Sequence, residues 1–323
     1  MEKTVPQHLQ NHRGFARAFR PGRLTLGIIS PFMGYADSPF PDMSDFTALV
    51  KQADNSGLGA LWVRDVPFYD PNFGDAGQMY DITATLGYLA ALTEHITIGS
   101  AGYVSPLREP ILTAKEAASV DQMSGGRFVL GLAGGDRPSE YPAFAKEFDN
   151  RAERFQENWQ TIRRLTEQSF PRFDTAHGGR FYGNLDLTPK PTQSRLPMMT
   201  VGRARQDLRW IANESDGWLW YSADLQHLKK LLAELDALNE SGIWRPFGTC
   251  NFVELLEDAD APLQVFNGIY LRGGHKAIAD FYAQQQEIGV SHIIANLKPT
   301  RRPPLETMQD FLENIVSQFD AGK

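Results

Sequence analysis

The sequence predicts an α/β protein, a (β/α)8 TIM barrel. Three observations carry this. Eight short β-branched or apolar runs read as strands. A helical pattern lies between successive runs. The early strand starts advance by roughly 30–36 residues, the length of one βα unit. Strands alternating with helices are parallel strands joined by helical crossovers, and eight such units close into a barrel. The chain has 323 residues. Two domains would be the prior at about 150 residues each, but an α/β barrel of about 250 commonly stays single. The boundaries read as an N-terminal arm over residues 1–23 and one barrel domain over 24–323.

The predicted strands are Leu24–Ser30, Ala60–Val66, Ile96–Val104, Phe128–Gly134, Met198–Gly202, Gly217–Ser222, Phe247–Leu255 and His292–Leu297. The first helix has Ser44 as its N-cap, a stripe of Phe46, Leu49, Val50 and Ala53, and a stop at Gly57. The second runs over Asp75–Thr93, with Leu86, Leu89 and Ala90 on one face. The third, Glu109–Ser124, opens with Pro110 in the first turn, where a missing N–H costs nothing. Arg151–Thr166 and Gln206–Ser215 follow. Leu225, Leu228, Leu232 and Leu235 stripe the next helix. Ile278, Phe281 and Tyr282 mark another, and Leu305, Met308, Leu312, Ile315 and Phe319 the last. The fourth strand lies about twice the usual distance from the fifth. The stretch between holds a Gly/aromatic segment, residues 177–183, that reads as a hairpin insertion. A second insertion, residues 257–274, follows strand seven. The rival architecture is an open doubly wound sheet, which often carries G-x-G-x-x-G after its first strand. The nearest match here, Gly131 to Asp136, lacks that spacing and follows strand four.

Apolar residues make up 42%, charged residues 22%, and the net charge is −7. That composition supports a large core and argues against disorder or coiled coil. The acidic balance argues against nucleic-acid or anionic-membrane binding. One cysteine, Cys250, excludes an internal disulfide framework and fits a reducing, cytoplasmic compartment. Residues 1–23 carry four arginines but no apolar segment of the roughly 7–15 residues that a secretory signal needs. They read as a surface arm, with an organelle transit peptide as the alternative.

In a barrel of this kind the chemistry sits at the C-terminal ends of the strands. After strand five, Gly202, Arg203, Ala204 and Arg205 lead into a helix, where free N–H groups and two cations suit an anion. A phosphate clamp and a surface turn with solvated arginines both satisfy that pattern. After strand four, Gly134, Gly135 and Asp136 read as a tight turn, with or without a ligand against it. Tyr141 reads either as a packed loop aromatic or as a donor to a ligand. In strand three, Gly99, Ser100, Ala101 and Gly102 form a run of small residues, which marks close backbone approach or small-against-large packing. In strand two, alternation puts Trp62 and Arg64 on one face and Leu61, Val63 and Asp65 on the other. Arg64 then turns toward the pocket, where it needs an anionic ligand or an ion-pair partner such as Asp136. The seven histidines show no metal-binding spacing and read mostly as surface residues, so no metal is expected. Asp65, Asp136 and Glu254 leave a glycosidase pair arithmetically open.

At these residues the sequence resembles the bacterial luciferase-like monooxygenase family, in a subgroup other than the light-emitting luciferases. The stretches that carry the resemblance are Ala60–Phe68, Phe73–Gln78, Ser119–Phe128, Gly134–Tyr141, Gly202–Gln206 and Asp216–Trp218, in family order over roughly residues 24–299. The resemblance implies a flavin mononucleotide (FMN) site at the barrel mouth. It puts the phosphate turn on Gly202, Arg203, Ala204 and Arg205, and a non-proline cis peptide beneath the flavin on Ala101–Gly102. It lays the loop from Gly134, Gly135 and Asp136 to Tyr141 over the cofactor and a mobile lid on residues 257–274. Arg64 and Ala133–Gly134 stand where the light emitters carry a catalytic histidine and a reactive cysteine with an arginine. Arg203 and Ala204 replace the usual hydroxyl residues of the phosphate turn. Light emission is therefore not implied. The implied activity is a flavin-dependent monooxygenase using reduced flavin, O2 and a small organic substrate, with Arg64 and Asp65 as catalytic candidates. Electrons come from NAD(P)H directly or through a separate flavin reductase, and the family analogy implies a homodimer. The alternatives are hydride transfer with the deazaflavin F420 and a flavin-binding barrel without turnover.

Overall fold

In the computed structural model, which describes residues 4–32, 40–73, 79–177 and 179–320, eight parallel strands close on themselves. They are β1 (Thr25–Ser30), β2 (Ala60–Val63), β3 (Thr97–Ser100), β4 (Phe128–Ala133), β5 (Met198–Val201), β6 (Gly217–Tyr221), β7 (Phe247–Leu255) and β8 (His292–Asn296). Each pairs with its sequence neighbours, β8 pairs with β1, and β6 pairs with β7, so no edge is left in the ring. The fold is the (β/α)8 barrel that the strand–helix rhythm predicts. No helix among the described residues is long and apolar enough to cross a membrane.

The alternation expected of β2 holds. Leu61 and Val63 join the core between barrel and helices, while Trp62 joins the barrel interior with Ile29, Val129, Met199, Leu219 and Ile294. Trp62 also explains Gly99. A Cβ at Gly99 would stand 2.4 Å from the indole, so this glycine makes room for a large neighbour in the same barrel layer. Strand three is shorter than predicted. It breaks at Ala101–Gly102 and resumes as the two-residue strand Tyr103–Val104, paired with β4.

The helices depart from expectation at their starts. The second covers Ile82–Leu92, and the Asp81 side chain caps it by accepting from the Ala84 amide at 3.0 Å. Residues 75–78 of the predicted helix lie outside the described residues. The first helix runs Phe46–Asp54 with Asp45 rather than Ser44 at its N-cap. The helix after β5 covers Leu208–Glu214, capped by Asp207.

The larger correction is at the N-terminus. The segment read as a surface arm folds into two short helices, Gln7–Gln10 and Arg13–Ala18, that close the floor of the barrel. Leu9, Phe15, Ala18 and Phe19 are buried in the interior cluster with Trp62. His12, also buried, hydrogen-bonds Asp121 at 3.0 Å. The isolated apolar residues of this segment are spaced for a plug, and their short runs hid that role.

Between β4 and β5 the strands Arg172–Asp174 and Arg180–Tyr182 form an antiparallel hairpin. After β7, Gln264–Phe266 and Tyr270–Gly273 form a second hairpin, and Tyr270–Gly273 pairs in parallel with the end of β7.

Candidate functional site

The turn after β5 is built to leave amides open. Gly202 has φ +65°, with open space where a Cβ would stand, and Ala204 and Arg205 are also left-handed at φ 46° and 60°. Neighbouring side chains take up the carbonyls. Trp218 Nε1 donates to the Gly202 oxygen at 2.7 Å, and Gln206 Nε2 donates to the Ala204 oxygen at 3.0 Å. Gln206 is itself held by Gln156 at 2.5 Å and by the Ala152 carbonyl at 3.0 Å. The amides of Arg203, Ala204 and Arg205 donate to none of the described residues. Backbone N–H groups left open in such a turn are suited to an anion. The sequence reading located this property at a helix N-terminus. Here Asp207 caps that helix by accepting from the Trp210 amide at 2.7 Å, so the turn offers the open donors.

The two arginines of the turn differ. The Arg203 guanidinium lies over Trp218 and Trp220, at 5.7 and 5.9 Å from the ring centroids. Arg205 is exposed and makes no ion pair or hydrogen bond with a described residue.

The turn after β4 abuts this one. A Cβ at Gly134 would stand 2.9 Å from the Ala204 Cα, and Gly135 has φ +71°. Tyr141 serves this turn from below. Only 1% exposed, it donates its hydroxyl to the Gly134 carbonyl at 2.6 Å, and burial pushes its hydroxyl up to about 12. It is a packed aromatic that braces the turn, as one of its two readings has it. Asp136 is exposed and makes no hydrogen bond or ion pair with a described residue.

The loops after β2 and β4 are clasped together. Arg137 Nη1 donates to the Phe68 carbonyl at 3.4 Å, and its guanidinium lies 4.3 Å from the Phe73 centroid. Ser139 donates to Asp70 at 2.8 Å. Beside Arg137 the buried Glu140 carboxyl is pushed up to about 6. Burial is the main cause, opposed by Arg137 and reinforced by Asp65, Asp136 and Asp70.

On the third side, the Ala101–Gly102 peptide is cis, as the resemblance implies. Ala101 packs against the barrel interior cluster. Arg64 is half-buried just past the C-terminal end of β2. Asp65 is committed elsewhere. It accepts from both Nε and Nη2 of Arg108 at 2.6 Å and from the Val104 amide at 2.9 Å. Burial works against the Arg108 charge, but the bonds and charge of Asp65 outweigh it and hold the guanidinium well above its ordinary value. Asp65 thus clamps the segment 104–108 to the end of β2. Glu254 accepts from Tyr270 at 2.9 Å and pairs with Arg272 at 3.2 Å. Two of the three carboxylates that left a glycosidase pair open are therefore spent on structural partners. Among the described residues no group of three His, Cys, Asp or Glu side chains has metal-holding geometry.

The structure brings together Gly134 and Ala204, and through them the turns after β4 and β5. Residues 74–78 of the Phe73–Gln78 stretch lie outside the described residues. Sequence reasoning missed Arg108, Gln206 and the indole of Trp218. The only available signal was a polar or aromatic residue near a predicted strand end, which does not disclose its partner. Two quoted motifs are structural. Arg127 donates to the Ala90, Thr93, Ile96 and Ser124 carbonyls around the end of the helix Ile82–Leu92. Asp216, at the foot of β6, pairs with Arg163 and Arg195 and accepts from the Met198 amide.

A family model described as "luciferase-like monooxygenase" matches residues 21–245. An uncharacterized protein of Mycobacterium tuberculosis is 29% identical over 225 residues, 64% of this chain and 76% of its own length. Among solved structures, the monooxygenase RslO1 from Streptomyces bottropensis superposes with a TM-score of 0.75 at 16% identity, covering 91% of this chain and 99% of its own. An F420-dependent secondary alcohol dehydrogenase superposes at 0.73 with 16% identity, covering 91% and 98%. The oxygenating constituent of 3,6-diketocamphane monooxygenase from Pseudomonas putida, in complex with FMN, superposes at 0.71 with 13% identity, covering 92% and 99%. At these identities the superpositions speak for the fold.

Proposed function

The chain belongs to the luciferase-like monooxygenase family, and from that premise we propose that it is a flavin-dependent oxidoreductase, a monooxygenase acting on a small organic substrate with reduced FMN and O2. The observation that carries the reading is the turn 202–205. Its three open amides and the exposed Arg205 suit a phosphate at the C-terminal end of a barrel strand.

When bound, reduced FMN supplies the two electrons with which O2 yields one oxygen atom to the substrate and one to water, and NAD(P)H, directly or through a reductase, restores it. This chain's residues do the rest. The amides of Arg203, Ala204 and Arg205 hold the phosphate, and Arg205 adds charge. Gly134, Gly135 and Asp136 border the cofactor on one side, with Tyr141 bracing their turn. Ala101 and Gly102 form a seat without bulky side chains for the ring. Arg64, half-buried just past the C-terminal end of β2, would add fixed positive charge near the bound cofactor. A homodimer and a cytoplasmic location belong to the same proposal.

The second reading is hydride transfer with F420, favoured by the fold shared with the F420-dependent alcohol dehydrogenase. The test titrates the purified chain with FMN and with F420 and follows each by fluorescence. Tighter binding of FMN, with substrate-dependent O2 consumption by the reduced protein, supports the monooxygenase. Tighter binding of F420 without O2 uptake replaces it. Binding of neither overturns both. Within the site, Arg205→Ala weakens FMN binding about tenfold, the scale of one lost charge-assisted contact. An unchanged Kd would remove Arg205 from the phosphate site.

A further inference from the structure

Asp65 stands 43 residues before Arg108 in the chain, yet its carboxylate, 5% exposed, holds the strand that follows the Ala101–Gly102 step. One oxygen accepts from the Val104 amide at 2.9 Å and from Arg108 Nε at 2.6 Å, and the other from Arg108 Nη2 at 2.6 Å. The Arg108 guanidinium in turn lies 4.9 Å from the Tyr103 ring centroid. Tyr103 is fully buried, with its hydroxyl 3.0 Å from that of Thr83. Val104 and Arg108 are thereby tied by three hydrogen bonds to Asp65, just past the end of β2, with Tyr103 packed against Arg108.

The contacts continue across the barrel mouth. A Cβ at Gly135 would stand 2.7 Å from Val104 Cγ1 and 2.8 Å from the Tyr141 hydroxyl, so the Val104 side chain abuts the turn after β4. Tyr141 holds Gly134 in that turn, and Gly134 lies against Ala204 in the turn with the open amides. Val104, Leu107 and Tyr141 form their own small apolar cluster beneath these turns. A displacement of Val104 would pass to Gly135 and from there to Ala204, because close-packed groups cannot absorb it separately.

We propose that the Asp65–Arg108 pair is a positioning device. It sets the height of the 101–104 segment against the turns after β4 and β5, and so the fit of a bound isoalloxazine ring and its phosphate. The inference rests on the flavin reading of this site. It assigns Asp65 a role through Val104 and Arg108 with no contact to the reacting atoms.

The matched control is Asp216, another buried carboxylate that pairs with arginines and accepts from a strand amide, but at the floor of the barrel. The experiment titrates FMN into the full-length wild type, Asp65→Asn and Asp216→Asn, reading Kd by fluorescence and the visible absorption band of the bound flavin. Asp65→Asn is expected to weaken FMN binding about tenfold or more and to shift the band, as a misplaced seat does. Asp216→Asn is expected to lower thermal stability and leave both readouts at wild type. Should Asp65→Asn not fold, Arg108→Lys, which keeps the charge and loses the two-pronged geometry, is read by the same criterion. An Asp65 or Arg108 variant that folds and matches the wild-type Kd and spectrum overturns the positioning role alone. Equal weakening in Asp216→Asn also overturns it, because the effect is then general loss of stability. A wild type that binds neither FMN nor F420 overturns the flavin reading and this inference with it.

Discussion

His292 sits inside the barrel as a neutral relay. Trp62 Nε1 donates to its Nε2 at 2.9 Å, so Nδ1 carries the proton and donates to Thr25 Oγ1 at 2.7 Å. Burial lowers its pKa from 6.5 to about 3. The folded value lies below the unfolded one, so the relay's contribution is complete above pH 6.5 and lost as pH falls toward 3. We expect stability to fall by up to about 1.4 kcal/mol per pH unit across that window from this group. His292→Gln, whose carbonyl can still accept from Trp62, flattens that slope while costing about 1–3 kcal/mol at pH 7. Urea unfolding at pH 7 and pH 5 checks this, and equal losses in the two proteins would refute it. Glu140 has the opposite sign. Its folded value, about 6, lies above the ordinary 4.5, so its contribution is present below 4.5 and lost as pH rises through 6. Glu140→Gln should gain about 1 kcal/mol over wild type at pH 8 and nothing at pH 4.5. A constant difference at the two pH values would sink this.

At the scale of elements, the buried Arg127 and Arg163 satisfy backbone carbonyls next to helix ends and strand feet. Arg127 is 3% exposed and places five hydrogen bonds on Thr93 Oγ1 and on carbonyls from Ala90 to Ser124. Arg127→Met fills much of the volume but leaves those acceptors buried and unpaired. We expect it to lower stability by about 3 kcal/mol or more, read by denaturant unfolding. A loss under about 1 kcal/mol would mean that water reaches these carbonyls. The turn after β4 offers a milder case. Tyr141→Phe removes one hydroxyl from the Gly134 carbonyl and should cost about 1 kcal/mol. If the brace serves the site, FMN affinity falls with it, and an unchanged Kd would separate the turn's stability from binding.

For the whole molecule, the helices Gln7–Gln10 and Arg13–Ala18 act as a floor. Leu9, Phe15 and Phe19 are each nearly inaccessible, and burying such a side chain contributes about 1.5–3 kcal/mol. Their sum approaches the usual net stability of about 5–15 kcal/mol for a domain. Deletion of residues 1–19 should therefore abolish cooperative thermal unfolding and expose the barrel interior to a hydrophobic dye. A truncated chain that melts cooperatively near the wild-type temperature would show that the barrel closes without its plug.

The parts of the fold legible in the residues were those with local periodicity. Leu61, Trp62 and Val63 alternate because successive strand side chains face opposite sides, and that pattern needs no partner to be read. The turn from Gly202 to Arg205 was legible as a cluster of permissive and cationic residues. Its mode of action was not, because Trp218 and Gln206 decide which of its polar groups remain open. Asp65 was legible as a strand-end carboxylate, and only the tertiary structure shows its hydrogen bonds to Arg108 and Val104. Gly99 carried two readings until Trp62 was seen beside it.

Periodicity in the chain by itself determined the eightfold strand–helix rhythm and made the C-terminal strand ends the place to look, while its motif stretches carried the family resemblance. The tertiary structure alone decided the partners: Tyr141 for Gly134, Arg108 for Asp65, the N-terminal helices for the barrel floor. The reason is physical. Propensity and periodicity act between residues a few positions apart, whereas a hydrogen bond or ion pair is decided by groups that meet only when distant segments pack.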